Sequence, residues 1–395
     1  MPRKKILWLV SWYPNRNDKF DGDFVQRHAK AAAIHNDIHV LFVTALEGLS
    51  DEEIIDDTNY STGLTEQIVY FKKPQGILQK LRKKMRWLRI YKKLAHQYIQ
   101  QHGKPDLVHV HIPWKAGVIA LCVKKKFRIP FVVTEHWGIY NDIVDDNYNT
   151  RSFTFKRIVK QIFEESMFFT TVSKFVGKGI QQVVTDKSYS IIPNVVDTSL
   201  FFYKEKQLAQ PFTFLHVSNM VPLKNVEGIL NAFHKLISFG ANARLILIGN
   251  REQTFVKKAE ELGLLNKTVF FKGEIPYREV AEAMQEANCF VLNSTIENSP
   301  CVISEALCCG LPVITTNVGG ISEMIEETNG LFVPVKDDDS LAIAMKKMMD
   351  CNADFNPKMI AFNAAKKYSY SRVSEQFDGA YKSATSEIFH RIPER

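Results

Sequence analysis

Two carboxylates eight positions apart, Glu297 and Glu305, bracket the run Asn298-Ser299-Pro300-Cys301-Val302-Ile303-Ser304. Before them lies Cys289-Phe290-Val291-Leu292-Asn293-Ser294, whose apolar start has the composition of a buried strand. The first acid therefore falls just past a strand, and the second inside the helix that follows. At the carboxyl edge of an open α/β sheet, that geometry faces a ligand crevice. Ser299 is expected to cap the helix, with Pro300 in its first turn. The backbone N–H groups near Cys301, Val302 and Ile303 then suit an anion such as a phosphate. The segment would offer one acid at a reacting end, a phosphate seat, and a second acid deeper in. A surface strand–helix turn with two solvated acids fits the same residues, so the surroundings must decide.

Such a pair needs parallel strands to position it, and the chain is patterned for two sets. The first half predicts strands at 6–10, 38–43, 67–71, 106–112, 131–135 and 168–172, with helices near 23–36, 77–101, 114–127, 151–166 and 174–184. The second half predicts strands at 212–218, 244–249, 269–273, 289–293, 312–316 and 331–333. Its helices are expected near 224–239, 253–263, 277–287, 300–309, 320–327 and 338–350. Continuous apolar strands alternating with helices argue for an α/β protein with parallel sheets covered on both faces. The polar segment Tyr203-Lys204-Glu205-Lys206-Gln207-Leu208-Ala209-Gln210-Pro211 has a linker's composition and places a hinge near 195–210. The expected domains are 1–197 and 198–369, followed by a helical segment at 370–395.

At 395 residues the chain exceeds one ordinary core. Hydrophobic content of 45% and charged content of 24% are those of a soluble globular protein. The net charge of +8 calls for an anionic partner: nucleotide, nucleic acid or anionic lipid. The six cysteines contain no C-x-x-C pair, so neither zinc spacing nor a disulfide framework is indicated. The basic start Met1 to Lys5 leads into an apolar run that ends at Ser11 without a cleavage-like site. It reads as a first strand rather than a signal peptide. No run approaches the ~20 apolar residues of a spanning helix. The expected location is cytoplasmic, with peripheral contact at the inner membrane face. That contact is suggested by residues 78–93, where Lys80, Arg82, Lys83, Lys84, Arg86, Arg89, Lys92 and Lys93 accompany an apolar stripe. Leu78, Leu81, Met85, Leu88, Tyr91, Ala95 and Tyr98 recur at steps of three and four. The stripe could be buried against a sheet under a solvated basic face, or dock on an anionic membrane. No recognised nucleic-acid module accompanies the charge.

The continuation past Glu305 is more specific. Gly310-Leu311-Pro312-Val313-Ile314 follows, then Val318-Gly319-Gly320-Ile321-Ser322-Glu323. Gly310 fits a helix stop, and Gly319-Gly320 permits a tight turn close to a ligand. The ordered series E-x7-E, G-x-P-V-I and G-G-I-x-E resembles the carboxyl-terminal signature of the retaining GT-B glycosyltransferases of family 4. Ser218-Asn219-Met220-Val221-Pro222-Leu223-Lys224 resembles the family's phosphate-binding loop. Lys224 matches its lysine, while Asn219 replaces the usual arginine. Leu247-Ile248-Gly249-Asn250 resembles the next family turn, and Phe270-Phe271-Lys272-Gly273 the strand end whose backbone reads the base. Gly22 matches a glycine whose loop presents N–H groups to the donor phosphate or the acceptor. His136, at the end of Phe131-Val132-Val133-Thr134-Glu135, matches a histidine directed at the donor sugar. Asp21-Gly22-Asp23 spells the D-x-D metal motif of a different glycosyltransferase fold. The two-sheet pattern speaks against it, so no metal is expected. His109 and His111 share one strand face but lack a third ligand at recognisable spacing.

The resemblance implies two Rossmann-like domains, the N-terminal one binding a glycan or lipid-linked acceptor and the C-terminal one a UDP- or GDP-linked sugar. The last helix would cross back to the first domain. It implies transfer of the sugar to a hydroxyl with retention, without metal or other cofactor. Glu297 would orient or stabilise the donor sugar, and Glu305 would accept the ribose hydroxyls. Lys224 and the helix start would hold the departing diphosphate. Surface polysaccharide or glycolipid assembly is the expected setting. A nucleotide-sugar 2-epimerase and a non-catalytic sugar-nucleotide binding protein stay open as alternatives. The latter is motivated by Asn219.

Overall fold

Along the first strand, Ile6, Trp8 and Val10 alternate with Leu7 and Leu9, so both faces are apolar and both must be covered. The computed structural model describes residues 3–50, 52–142, 146–206, 211–250, 252–351 and 354–391, the last five as backbone alone. The expected linker's Gln207 to Gln210, the terminal Met1 and Pro2, and residues 392–395 lie outside the described residues. The chain divides into one unit of residues 1–195 with 370–395, and a second of residues 196–369.

The first unit begins with β1 (Lys5–Val10), α1 (Asp23–Ala32), β2 (Asp37–Leu46), β3 (Ile54–Ser61), β4 (Leu64–Lys72) and α2 (Gln79–His102). It continues with β5 (Leu107–His111), α3 (Pro113–Phe127), β6 (Phe131–Glu135), α4 (Phe153–Glu165), β7 (Phe169–Thr171), α5 (Lys174–Val183) and β8 (Tyr189–Ile191). The described strands form one sheet in the order β3-β4-β2-β1-β5-β6-β7-β8. Every pairing is parallel except the β3–β4 hairpin. Leu7 and Leu9 meet residues of α2, α3, α4 and α5 on one face. Ile6, Trp8 and Val10 meet α1 and the chain's last helix on the other.

The second unit holds β9 (Phe212–Val217), α6 (Val226–Ser238), β10 (Ala243–Ile248), α7 (Gln253–Glu261), β11 (Val269–Gly273) and α8 (Tyr277–Glu286). Then come β12 (Cys289–Leu292), α9 (Cys301–Cys308), β13 (Val313–Thr316), β14 (Gly330–Val333), α10 (Asp338–Asp350) and α11 (Pro357–Tyr368). Its sheet runs β11-β10-β9-β12-β13-β14, all parallel. Helices α6, α7 and α10 cover one face and α8, α9 and α11 the other. The last helix, α12 (Tyr370–Arg391), belongs to the first unit. It buries Val373, Phe377, Tyr381 and Ala384 there.

Several local expectations are corrected. Strand β3 went unforeseen because Ile-Ile-Asp-Asp-Thr-Asn-Tyr-Ser is mostly polar, as an exposed edge strand can be. Strand β8, three residues long, and helix α11 were also missed. The helix expected at 320–327 is a short 3₁₀ turn, Gly319–Glu323. Pro300, not Ser299, is the N-cap of α9, and no side chain caps it. The Ile303 N–H is not offered to a ligand, since it donates to the Pro300 carbonyl at 3.2 Å. The stripe of α2 splits: Tyr91, Ala95 and Tyr98 are buried, whereas Leu78, Leu81 and Met85 are exposed.

Candidate functional site

In the second unit the strand order reverses direction between β9 and β12. An open parallel sheet binds ligands outside the carboxyl ends of its strands at such a point. Lys224 follows β9 and Glu297 follows β12. The Lys224 ammonium reaches Glu297 Oε1 at 2.5 Å, and the Ser294 hydroxyl donates to the same oxygen at 2.7 Å. Glu297 keeps 10% of its side chain exposed and Lys224 keeps 20%, so the pair sits at the crevice lip rather than in bulk water. The two loops are also clasped through backbone, with Thr295 N–H donating to the Leu223 carbonyl at 2.8 Å.

A third loop closes on Glu297. Gly320 N–H donates to its carbonyl at 3.0 Å. Gly319 has φ 55, and a Cβ there would lie 1.8 Å from the same carbonyl oxygen. Only glycine permits this approach at position 319. Asn298 and Ser299 line the half-buried turn between Glu297 and α9, Pro300 is buried, and Cys301 and Val302 are half-buried at the start of α9. Glu305, 2% exposed in α9, accepts a short hydrogen bond from the Tyr277 hydroxyl at the start of α8. Gly249, after β10, donates its N–H to the Gly273 carbonyl at 3.0 Å, so the ends of β10 and β11 are joined. Asn219 is exposed on the loop leading to Lys224.

That loop has a brace that the sequence did not reveal. His216, fully buried in β9, donates from Nδ1 to the Val291 carbonyl at 2.9 Å, because a carbonyl can only accept. Its Nε2 must then accept from the Ser218 hydroxyl, 2.7 Å away, whose oxygen takes the Met220 N–H at 2.9 Å. Burial pushes the imidazole down to about 4, and Lys224 adds to this against the Val291 bond. His216 and Tyr277 act across 75 and 28 residues, so no local pattern marked them.

The first unit brings His136 beside other histidines. His111 Nδ1 and His136 Nε2 are 3.2 Å apart, and His28 Nε2 is 2.9 Å from the Pro193 carbonyl. A cluster does form, but without His109: His28 of α1 and His136, after β6, join His111. One ring nitrogen from each of His28, His111 and His136 lies within 4.8 Å of the others. Among the described residues this is the one group whose geometry could hold a cation, and no carboxylate joins it. Burial holds all three rings neutral: His28 is pushed down to about 4, and His111 and His136 well below their ordinary range.

Glu135 fixes the turn that carries His136. Its carboxylate accepts the N–H groups of His136 and Trp137 at 2.8 and 2.9 Å and the Tyr140 hydroxyl at 2.6 Å. Burial nevertheless pushes it up to about 7. Gly22 begins α1 at φ 65, where a Cβ would come within 2.5 Å of the Trp12 carbonyl carbon. Asp21 beside it is raised to about 6 by burial first and Asp18 second.

Two family models match the chain. One, described as glycosyl transferases group 1, covers residues 200–367, and the other, glycosyltransferase family 4, covers residues 25–200. The chain is 25% identical over 241 residues to N-acetyl-alpha-D-glucosaminyl L-malate synthase of Bacillus anthracis, covering 58% of this chain and 61% of that protein. It is 23% identical over 369 residues to the putative teichuronic acid biosynthesis glycosyltransferase TuaC of Bacillus subtilis, covering 87% and 88%. Among solved structures, sucrose-phosphate synthase of Thermosynechococcus elongatus superposes with TM-score 0.76 at 20% identity, over 97% of this chain and 100% of that one. Anabaena Alr3699/HepE in complex with UDP-glucose superposes with TM-score 0.69 at 17% identity, over 96% and 100%. These likenesses establish the fold.

Proposed function

The chain belongs to the group 1 glycosyltransferases of the GT-B fold, and on that premise we propose that it moves a sugar from a nucleotide-diphosphate donor to a hydroxyl with retention. The observation that carries this reading is the meeting of Lys224, Ser294 and Glu297 at the switch point of the second unit's sheet. The HepE complex with UDP-glucose supports a UDP-linked donor, and the likeness to TuaC, a putative teichuronic acid biosynthesis glycosyltransferase, supports a role in surface-polysaccharide assembly.

The chemistry must hold a departing diphosphate and an electron-poor anomeric carbon. In the resting site the Lys224 ammonium neutralises Glu297. A bound diphosphate draws the ammonium to itself, and its positive charge then develops its largest effect on the leaving oxygen. Glu297, released from the ion pair and still held by Ser294, faces the positive charge that grows on the sugar. Glu305, oriented by Tyr277, accepts the ribose hydroxyls. The α9 start, with Asn298 to Val302, and the Gly319-Gly320 turn bring backbone close to the phosphates. Gly249 and Gly273 bound the base, and Asn219 contributes a neutral contact where an arginine would add charge. In the first unit, Gly22 and His136 are the residues that the likeness to glycosyltransferase family 4 assigns to substrate. None of these roles needs a metal.

Transfer from UDP- and GDP-sugars to a soluble acceptor in excess chelator tests this, with the product's anomeric configuration read by NMR. A retained product is expected, and Glu297→Ala should slow turnover about a hundredfold at unchanged donor affinity. An inverted product, or strict dependence on a divalent ion, contradicts it. Donor turnover without any acceptor would point to the epimerase.

A further inference from the structure

The exposed half of α2 and the β3–β4 hairpin enclose a pocket of about 670 Å³ in the first unit. Lys72, Arg82, Arg86 and Arg89 line it, and among the described residues no acidic side chain does. Arg82, Arg86 and Arg89 follow one another at helical steps of four and three and so share a face. Arg86 is steadied with its guanidinium 5.7 Å from the Phe71 ring centroid. Among the described residues no ion pair engages Arg82 or Arg89. Ile54, Met85 and Ile90 form the apolar wall.

The rim has its own pattern. Ile77, Leu78, Leu81 and Met85 are 103%, 56%, 54% and 56% exposed, on a turn and helix whose residues 78–93 carry eight cations and no acid. Water offers such a stripe nothing. An anionic interface matches both. No helix among the described residues is long and apolar enough to cross a membrane, so the contact would be superficial.

We propose that this pocket seats the phosphate-bearing headgroup of an anionic phospholipid, with Leu78, Leu81 and Met85 entering the bilayer's interfacial layer. The arginine row supplies bidentate donors to a phosphate, which scattered lysines do not. The pocket therefore adds a headgroup contact to the diffuse attraction that any basic surface feels.

The test is co-sedimentation of the full chain with phosphatidylcholine vesicles, with or without phosphatidylglycerol, at physiological salt. Binding is expected only to the anionic vesicles. Arg82→Gln with Arg89→Gln and Lys80→Gln with Lys83→Gln remove equal charge, one pair from the pocket and one from outside it. The pocket pair should lose at least about ten times more affinity than the outer pair. Leu78→Ser with Leu81→Ser should lose binding to a similar degree. Equal losses from the two charge pairs, or no binding to anionic vesicles, overturn the proposal. Stabilisation by glycerol phosphate without vesicle binding also overturns it, in favour of a free phosphate ligand. The donor-site reading fails separately: transfer to a soluble acceptor should survive the pocket variants, and Glu297→Ala should leave vesicle binding intact.

Discussion

The Glu297 carboxylate is held by a cation, a hydroxyl and, through its backbone, a glycine turn, and each contact makes a distinct forecast. Lys224→Ala leaves a nearly buried carboxylate without its counter-ion and removes the proposed partner of the phosphate. Turnover should fall by about two orders of magnitude or more in steady-state assays. Gly319→Ala would press a methyl group on the Glu297 carbonyl. Activity should drop with a stability loss of about 1–3 kcal/mol, measured by denaturant unfolding. His216 gives a pH forecast. Its folded value of about 4 lies below the ordinary 6.5, so between these pH values the unfolded chain binds more protons than the folded one. Stability is therefore unaffected above about pH 6.5 and declines as pH falls towards 4, by about 2 kcal/mol at pH 5 from this group. Thermal melts should show the decline, and His216→Asn should remove about 2 kcal/mol of it at pH 5. Glu297 and Glu305 were legible because their spacing is local to one strand–helix turn. His216 and Tyr277 were not, because their meaning lies in partners that only the folded sheet supplies.

Strand edges placed the site more firmly than any single motif. The apolar runs of β9, β10, β12 and β13 announced a parallel sheet, and their order put Lys224 and Glu297 at its reversal. What stayed hidden was short or polar. Strand β3 looks like loop because an edge strand meets solvent, and β8 has too few residues to show a period. The α9 cap was misjudged since serine favours that position by propensity, whereas the extended backbone of Pro300 actually takes it. Helix α2 has one uninterrupted stripe in sequence. Only the fold tells which part covers the sheet and which part is left exposed.

At the scale of the whole chain, the last helix returns to the first unit and anchors in its core. Tyr381 shows the anchoring chemistry: Trp8 Nε1 donates to its hydroxyl at 3.1 Å, which frees the hydroxyl proton for His109 Nδ1 at 2.7 Å. His109 then donates from Nε2 to Thr134, next to the turn of Glu135 and His136. Tyr381→Phe strands a buried donor and a buried acceptor, a loss of about 1–3 kcal/mol that a thermal melt would register as a lower Tm. The two-unit parallel architecture could be read from the alternation of strands and helices, whereas this contact spans 272 residues and could not.

On the proposed function, the edge between β9 and β12 holds the diphosphate donor, with Glu305 as the ribose anchor. Calorimetric titration of the full chain and Glu305→Ala with UDP-, GDP- and ADP-sugars tests it most directly. Saturable binding of at least one donor is expected, about ten- to hundredfold weaker in the variant, since hydrogen bonds to a charged group are lost. Binding of none, or equal affinity in both proteins, would contradict it.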